Sequence, residues 1–474
     1  MAAVSSLLLL ILLLVAPPFS LARGRSSSSS GRYGAKSVRS TVRKTAKDYL
    51  RDNGKDDVRD FAGDDGHQLG ISAAASYSAL TFDLSVGSGT TTYGYAQSVS
   101  VVMDITSELV WAQCDDPCTS CKPWARPSFR SSISDSFVPI LCGAQSCQRF
   151  FPGDCTSGGD LCGYIETFYP SGNTSGYIAH ETFNFETTAI PGMVFGCANK
   201  VLLPDLAGAS GFAGFSRSPL SLVSQLQMSQ FSYLIAIPDY YGNSESFLRW
   251  TWDEGDGPLT APDKGSPSTP LLVPTSKQNP YWYYVKLTGI EVDGQLLTAI
   301  PTGTFDVKAD GSGGVSLSTT LPVTYLEEAA HKVLREKLLT MISAQGVALT
   351  QAASDLKYLC FVTEDFERAT VPKLALVFDG SNAVMELSVE NYFFKYDDGQ
   401  TCLTIVPSTG RSVLGSLLQV DTTMTYDLYA HGGGLLTFET AAAARSSAGA
   451  HVKPQAQVPL VIIITTLLAA WGVH

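Results

Sequence analysis

Two short stretches of the chain resemble each other, and they differ at the residue best suited to chemistry. Residues 101–111 read VVMDITSELVW, and residues 313–326 read GGVSLSTTLPVTYL. Each pattern predicts a strand, a small polar turn and a second strand that ends in an aromatic residue. When Asp104 is aligned with Ser318, Trp111 falls on Tyr325. One turn therefore offers a carboxylate where the other offers a hydroxyl.

Two carboxylates at these positions would be suited to peptide hydrolysis. A close pair of acids shares a proton, because both cannot ionise together, so one activates water while the other polarises a carbonyl. A serine hydroxyl can hold a water molecule, but it is neither a carboxylate nor a carboxylic acid at any working pH. The residue at position 318 therefore bears directly on whether the chain can cleave peptides.

The elements that must position these turns are predicted to be strands in two lobes. The length of 474 residues exceeds one ordinary core, and a charged fraction of 16% with 10% aromatics favours a strand-rich body. Short apolar runs between Gly, Pro, Asn and Ser fill residues 77–275 and residues 281–440, the predicted N-terminal and C-terminal lobes. We expect an all-β-dominated, bilobal fold with a cleft between the duplicated turns and a few helices, among them residues 218–228 and 327–342.

The two ends of the chain carry targeting signals. Residues 1–22 have the apolar run and small-residue cleavage context of a secretory signal peptide, for which a buried first helix is the alternative. Residues 448–474 match a glycolipid (GPI) anchor signal, with a membrane helix or a cryptic tail as alternatives. Together they predict a protein on the outer leaflet of the plasma membrane or a secreted one.

Residues 23–76 form a basic, Ser-rich leader that contrasts with the acidic body. Its apolar residues recur at helical spacing, so it fits a pro-segment helix docked on an acidic surface, and it fits a disordered leader equally well. The formal net charge of −12 and the lack of a basic aromatic platform argue against a nucleic-acid partner. The sequence points to no cofactor, and a monomer is expected.

Secretion makes the ten cysteines candidates for disulfides. Eight lie between Cys114 and Cys197, where 105 pairings are possible, and the remaining two, Cys360 and Cys402, are predicted to pair. Cys118 and Cys121 form a CxxC motif, which by itself would be compatible with zinc binding or redox chemistry. No second CxxC accompanies it and the histidines are scattered, so we predict no metal site.

The order of these motifs resembles the pepsin-like aspartic proteases (peptidase A1), in particular their plant nepenthesin-type branch. DITSELVWAQC at Asp104 is similar to the first active-site motif, and residues 162–183, CGYIETFYPSGNTSGYIAHETF, are similar to the flap. The resemblance covers about residues 78–440 and implies a cleft for a peptide, with Tyr169 as the flap tyrosine over it. Asn173 begins a glycosylation sequon near the flap tip.

In the first motif the usual form is D-T-G-S. Asp104 and Ser107 match it, whereas Ile105 and Thr106 replace the usual Thr and Gly. The resemblance implies that the missing Thr hydroxyl joins the two active-site loops, and an unpaired partner in that buried seam would cost about 1 to 3 kcal/mol. Thr106 places a β-branched side chain where Gly permits close approach or positive φ.

In the second motif the usual form is D-[ST]-G-[ST], and only Thr319 is as expected. Ser318 occupies the position of the second catalytic acid, and Thr320 and Leu321 replace the Gly and the hydroxyl residue that follow. For residues that act as one unit, the loss of a single member removes most of the rate acceleration.

Other acids nearby are weak substitutes for the missing carboxylate. Asp310 belongs to a turn at the far end of the preceding strand, and Glu327 and Glu328 begin a helix, where acids favour the N-terminus. Asp104 without a partner is then either a remnant of the dyad or simply a turn acid capped by amides.

These features predict a secreted or cell-surface aspartyl protease-like glycoprotein with lost or greatly reduced peptidase activity. It would bind a protein or peptide through its cleft or loops, in an inhibitory or recognition role. The alternative is an active aspartic endopeptidase that works at acidic pH, and a third interpretation is a lectin-like β-sandwich without a cleft.

Overall fold

The computed structural model describes residues 32–34 and most of residues 80–440. The gaps fall at residues 90–95, 115–119, 122–127, 157, 169–171, 186–187, 204–207, 237–245, 252–264, 274–278, 309–310, 351–357, 381, 397–398 and 431–432. The predicted signal peptide, most of the leader, the anchor signal and the boundary at residue 275 lie outside the described residues. None of the described helices is both long and apolar enough to cross a membrane.

Strands dominate the described chain, as the sequence predicts. In the first half they are β1 (Arg32–Gly34), β2 (Thr81–Val86), β3 (Gln97–Asp104), β4 (Val110–Gln113), β5 (Val138–Pro139), β6 (Gly163–Thr167), β7 (Asn173–Phe185), β8 (Thr188–Leu202), β9 (Gly211–Gly214), β10 (Gln230–Leu234), β11 (Phe247–Thr251) and β12 (Ser268–Pro270). In the second half they are β13 (Tyr284–Val285), β14 (Leu287–Val292), β15 (Gln295–Leu296), β16 (Val315–Leu317), β17 (Thr324–Glu327), β18 (Cys360–Val362), β19 (Leu374–Phe378), β20 (Val384–Leu387), β21 (Phe393–Lys395), β22 (Gln400–Leu403), β23 (Ile405–Ser408), β24 (Ser412–Leu414), β25 (Thr422–Asp427) and β26 (Leu435–Thr440).

The described helices are short, with one exception. They are α1 (Gln145–Phe150), α2 (Leu222–Gln225), α3 (Glu328–Ser343), α4 (Thr363–Phe366) and α5 (Val389–Tyr392), with 3-10 turns at Ser131–Ile133 and Ser416–Gln419. α3 lies one residue from its predicted position, because Glu327 caps it by accepting a hydrogen bond from the Ala329 amide at 2.8 Å. The helix expected over residues 218–228 shrinks to the four residues of α2.

The active-site turns sit in sheets with the same local topology in both halves. In the first lobe β9 lies between β3, to which it is parallel, and β4, to which it is antiparallel. In the second lobe β24 lies in the same way between β16 and β17. The internal repeat found in the sequence is therefore a repeat of three-stranded structure.

The remaining strands extend these sheets. The first-lobe sheet has the order β2-β3-β9-β4-β8-β7-β5, with β6 paired to β7, and the second-lobe sheet has the order β13-β16-β24-β17-β23. A six-stranded sheet, β1-β11-β10-β25-β26-β12, takes strands from both halves of the chain and includes Arg32–Gly34 from the basic leader. Two smaller sheets, β15-β14-β19-β20 and β18-β22-β21, complete the second lobe. The predicted β-dominated, two-lobed fold is confirmed.

The core follows from alternation along the strands. In β2, Phe82, Leu84 and Val86 are buried, whereas Asp83 between the first two is exposed. Trp111 and Phe212 stack with their ring centroids 5.5 Å apart. Burial of such side chains supplies the main stabilisation and fixes strand register, because a one-residue slip would turn them to the opposite face.

The structure selects one set of disulfides where the sequence left the first-lobe pairing open. Between cysteines that are both described, the bonds are Cys114–Cys197, Cys142–Cys155, Cys147–Cys162 and Cys360–Cys402. Cys121 of the CxxC is also disulfide-bonded and therefore has no free thiolate for zinc. Cys147–Cys162 joins α1 to the residue before β6, so this bond ties the helix to the start of the flap hairpin.

Candidate active-site cleft

Asp104 lies at the carboxyl end of β3 and is 2% exposed. Its Oδ1 accepts hydrogen bonds from the Thr106 amide at 2.8 Å and the Thr106 hydroxyl at 2.7 Å, and its Oδ2 accepts from the Ser107 hydroxyl at 2.8 Å. Burial raises the pKa of Asp104 above its usual value, and these bonds from Thr106 and Ser107 oppose that rise. The carboxyl group is therefore held in one orientation by its own loop.

Ser318 occupies the matching position after β16 and is 1% exposed. Its Oγ accepts hydrogen bonds from the Thr320 amide at 3.3 Å and the Leu321 amide at 3.1 Å, and it lies 3.3 Å from the Thr320 hydroxyl. The two loops thus keep the same pattern of amides aimed at the central side chain. A neutral hydroxyl takes the place of a carboxylate in the second loop.

The two loops are joined directly by Thr319. Its hydroxyl donates to the Met103 carbonyl at 3.0 Å and accepts from the Ile105 amide at 3.3 Å. Ile105 has no hydroxyl with which to form a reciprocal hydrogen bond, and its side chain packs in the hydrophobic core instead. The direct link between these two loops is therefore made by the side chain of the second loop.

The two threonines that replace glycines fit without a left-handed backbone, since neither Thr106 nor Thr320 is among the residues with positive φ. Thr106 also supplies a hydroxyl to Asp104, which a glycine would not. Close approach is needed instead at Gly214 and Gly415, where an added Cβ would lie 2.5 Å from the Ser107 carbonyl oxygen and 2.3 Å from that of Val323. The tight packing behind each loop is retained although the loop sequences have changed.

Two residues that the sequence did not single out hold the loops in place. The Gln419 side-chain amide donates to the Ser318 carbonyl at 2.9 Å, and the Trp282 indole donates to the Thr106 carbonyl at 3.1 Å. Trp282 lies in the second half of the chain, so this bond crosses the cleft. A glutamine or tryptophan far along the chain carries no local pattern that would predict such a contact.

The two loops line one cavity of about 380 Å³. Asp104, Ser107, Ser318, Thr320 and Leu321 all contribute to its wall. The other lining side chains come from the turn after Asp104, the α1 region, the β6 hairpin and the start of the second half: Glu108, Phe151, Asp154, Tyr164, Glu166 and Trp282 are among them. The predicted residues of the two active-site loops are brought together here, apart from Ile105 and Thr319, which are buried behind them.

Glu166 is a second acid in this cavity, and the sequence reasoning missed it. Its Oε1 accepts a hydrogen bond from the Glu108 amide at 3.0 Å, so the flap strand is tied to the Asp104 loop. Burial raises the pKa of Glu166 to about 8, and the nearby carboxyl groups of Asp104 and Glu108 also raise it. Hydrogen bonds from the Glu108 and Leu109 amides oppose this rise in pKa. Its only sequence signal was an acid in the flap two residues after Tyr164.

The predicted flap tyrosine, Tyr169, lies outside the described residues. The preceding residue, Phe168, is buried and packs against Trp111 with centroids 6.1 Å apart and against Phe212 with centroids 4.7 Å apart. The Trp111 indole nitrogen is buried without a hydrogen-bond partner. An apolar ring thus covers this side of the cleft.

The remaining candidates lie away from the cavity or beyond the described chain. Glu327 caps α3, Glu328 begins that helix, and neither residue lines the cavity. Asp310 is outside the described residues. Asn173 begins β7, where its role as a glycan acceptor stays a prediction.

The fold and this cleft define a pepsin-like protein, and comparison with known proteins shows the same class. The family models described as Xylanase inhibitor N-terminal and Xylanase inhibitor C-terminal match residues 85–249 and 282–434, which together are more than half of the chain. The chain belongs to the pepsin-like aspartic protease family, in its plant nepenthesin-type branch.

Two similar relatives are pitcher-plant enzymes from Nepenthes gracilis. The chain is 34% identical to aspartic proteinase nepenthesin-2 over 333 residues, which cover 70% of this chain and 72% of that protein. It is 30% identical to aspartic proteinase nepenthesin-1 over 348 residues, covering 73% of this chain and 75% of that protein.

Solved structures with the same fold include edgp and the basic 7S globulin from soybean. The TM-score is 0.59 for both, with 20% identity for edgp and 16% for the globulin. The match covers 79% of this chain and 94% of edgp, and 89% of this chain and 97% of the globulin. At these identities the likeness concerns the fold alone.

Proposed function

We propose that this protein is a secreted or cell-surface member of the family with lost or greatly reduced peptidase activity. It binds a protein or peptide through its cleft or loops and acts as an inhibitor or in recognition. The observation that carries the proposal is the Ser318 loop, whose buried hydroxyl accepts two backbone amides where a second carboxyl group would be needed. The family models described as xylanase inhibitors support an inhibitory role.

The chemistry of the cleft supports the loss of activity. In a shared-proton dyad, one carboxylate takes a proton from water while its partner, still protonated, polarises the substrate carbonyl. Asp104 retains the first of these groups with its hydrogen bonds in place. Ser318 is neither a carboxylate nor a carboxylic acid at any working pH, so the pair lacks its second member.

The alternative function is an active aspartic endopeptidase. Two observations favour it: the nepenthesin relatives are named proteinases, and Glu166 places another carboxyl group in the cavity that Asp104 lines. In such an enzyme Glu166 would have to supply the second acid from the flap strand. The motif of the second loop would then be dispensable.

A peptidase assay separates the two functions. The protein is expressed from the full chain in a secretory plant host, purified, and assayed on denatured globin from pH 2 to 7. We expect no cleavage above that of the Asp104→Ala variant. Cleavage abolished by Asp104→Ala would overturn the proposal, and its additional loss in Glu166→Gln would identify the substitute acid. Glu386→Gln, an exposed acid on β20, serves as the control.

A further inference from the structure

Among the described residues that line the cavity between the loops, the charged side chains are all acidic. Its described lining residues include Asp104, Glu108, Asp154 and Glu166, and none of them is Lys, Arg or His. Such a wall in a concave, partly desolvated site focuses a negative potential. The chain as a whole adds to this field through its formal net charge of −12.

Two polar atoms on the cavity wall are buried without hydrogen-bond partners. They are the Tyr164 hydroxyl, on a side chain that is 2% exposed, and Oε2 of Glu166. A buried polar atom left unpaired is unfavourable, so both atoms mark a place where a ligand group can be accommodated.

The two side chains are presented to the cavity by the same strand. Tyr164 and Glu166 alternate in β6, so they project from one face of it, while Ile165 between them is 71% exposed. The Glu108 amide holds the other oxygen of Glu166. Oε2 is therefore oriented by the fold before any ligand arrives.

A cationic group satisfies this arrangement better than a neutral or anionic one. Guanidinium and ammonium groups present only donors, which match the free oxygen of Glu166, and their charge offsets the surrounding carboxylates. Phe150, Phe151 and Trp282 also line the cavity, and their rings can contact the alkyl part of a long basic side chain or the cation itself. An anionic group would be repelled by each charged side chain among the described lining residues.

We propose that this acidic cavity, built from Asp104, Glu108, Tyr164 and Glu166, is the binding subsite for an Arg or Lys side chain of a peptide ligand. The proposal rests on the proposed function, since it assumes that a peptide enters the cleft, and it adds the chemical class of the side chain recognised. Glu166 provides the main contact, and the carboxyl groups around it supply the field.

Binding in this subsite is linked to protons. Burial raises the pKa of Glu166 to about 8, so the side chain is mostly protonated in the empty cleft at pH 6. The titratable groups that line the cavity with it are Asp104, Glu108, Asp154 and Tyr164, and the described lining residues of the second lobe add none. A bound cation favours the ionised form, so binding releases a proton and tightens as pH rises toward 8.

The test compares two peptides that differ only in charge. Ac-Ala-Ala-Arg-Ala-Ala-amide and its citrulline analogue are titrated into the purified full-chain protein by calorimetry at pH 6 and pH 8, in two buffers of different ionisation enthalpy. We expect the arginine peptide to bind at least about tenfold tighter than the citrulline peptide at pH 8, with proton release that is larger at pH 6. Glu166→Gln should remove most of this preference, and Glu386→Gln should keep it.

The outcomes distinguish this inference from the function on which it rests. Equal binding of the two peptides would overturn the cationic subsite while leaving a peptide-binding cleft in place. Binding of neither peptide would overturn the subsite, and lack of binding to a mixed peptide library would overturn the cleft function as well. Loss of the near-ultraviolet circular dichroism signal in Glu166→Gln would mean that this variant does not fold. In that case the test uses the Tyr164→Phe variant and the proton release measured on the unmodified protein. Release of no proton at pH 6 would count against Glu166.

Discussion

The Asp104 loop and the Ser318 loop share strand topology and an amide contact, and they differ in chemistry. Each loop follows a strand that is parallel to a central partner, β9 or β24. In each loop the amide of the residue two positions later, Thr106 or Thr320, donates a hydrogen bond to the side chain of Asp104 or Ser318. In the first loop that side chain is a carboxyl group with three hydrogen bonds. In the second it is a hydroxyl that accepts two amides. The fold of the loop thus does not depend on the acid.

The contrast shows which parts of the site are structural and which are chemical. Thr319, which joins the lobes, is retained with both of its contacts, and Gln419 fixes the Ser318 carbonyl from behind. The residues of the second loop that differ from the family motif, Ser318, Thr320 and Leu321, all line the cavity. The contacts of the first group hold the loops together, whereas an acid at position 318 would be needed only for peptide cleavage.

The largest expected effect comes from making the second loop like the first. Ser318→Asp combined with Thr106→Gly and Thr320→Gly restores a second carboxyl group and the two small residues beside it. Because dyad members act as a unit, we expect kcat/KM for a denatured-protein substrate at acidic pH to rise on the order of a thousandfold above background. Cleavage of denatured globin at pH 3 to 5 measures it.

The matched control replaces Ser318 by Asn in the same Gly background, which keeps the size of the side chain without its acid. Equal activity in the Asn and Asp triple variants, or no activity in a folded Asp triple variant, would mean that the two loops differ in more than the acid.

The second prediction concerns the contact that the two loops share. Thr319→Val keeps the side-chain shape but leaves the buried Met103 carbonyl and Ile105 amide without this partner. We expect the free energy of unfolding to fall by about 2 to 4 kcal/mol, measured by urea denaturation.

Thr288 provides the comparison, since its hydroxyl donates to the Val377 carbonyl at 3.0 Å in an exposed position. Thr288→Val should change the free energy of unfolding by no more than about 0.5 kcal/mol. A similar small loss in Thr319→Val would show that the link from the second loop does not hold the lobes together.

The smallest effect is a change in the pH dependence of stability. The folded-state pKa of Glu166 is raised to about 8 from 4.5, so its contribution is full below pH 4.5 and is lost as pH rises through 8. Between pH 5 and 8 the free energy of unfolding of the unmodified protein should fall by about 1 to 2 kcal/mol more than that of Glu166→Gln. This is less than the full effect of the pKa shift, because solvent reaches part of the side chain. Urea midpoints at pH 5, 6.5 and 8 measure this difference.

The same measurement on Glu386→Gln supplies the baseline, because that exposed side chain lies on β20 outside the cleft. If the Glu166→Gln and unmodified curves were parallel over this range, the acid of the flap strand would titrate normally, and its burial beside Asp104 would have no energetic consequence.

Much of the fold could be predicted because it depends on local patterns. Apolar alternation gave the strands, and α3 begins one residue from its predicted start because Glu327 is a helix cap. The helix expected over residues 218–228 is mostly absent, since the apolar residues there pack into the core from turns and from the short α2. Periodicity alone does not separate those cases.

By itself, the sequence determined the family, the duplicated turns and the mismatch of Asp104 with Ser318, because these are read from residue types in order along one chain. The tertiary structure decided the first-lobe disulfides, the contacts of Trp282 and Gln419, and the place of Glu166 beside the Asp104 loop. Each of these joins residues that are distant in sequence, and their proximity depends on how the sheets pack. A lone acid in a flap strand therefore acquires its raised pKa and its suggested role only from the burial and charges that the fold places around it.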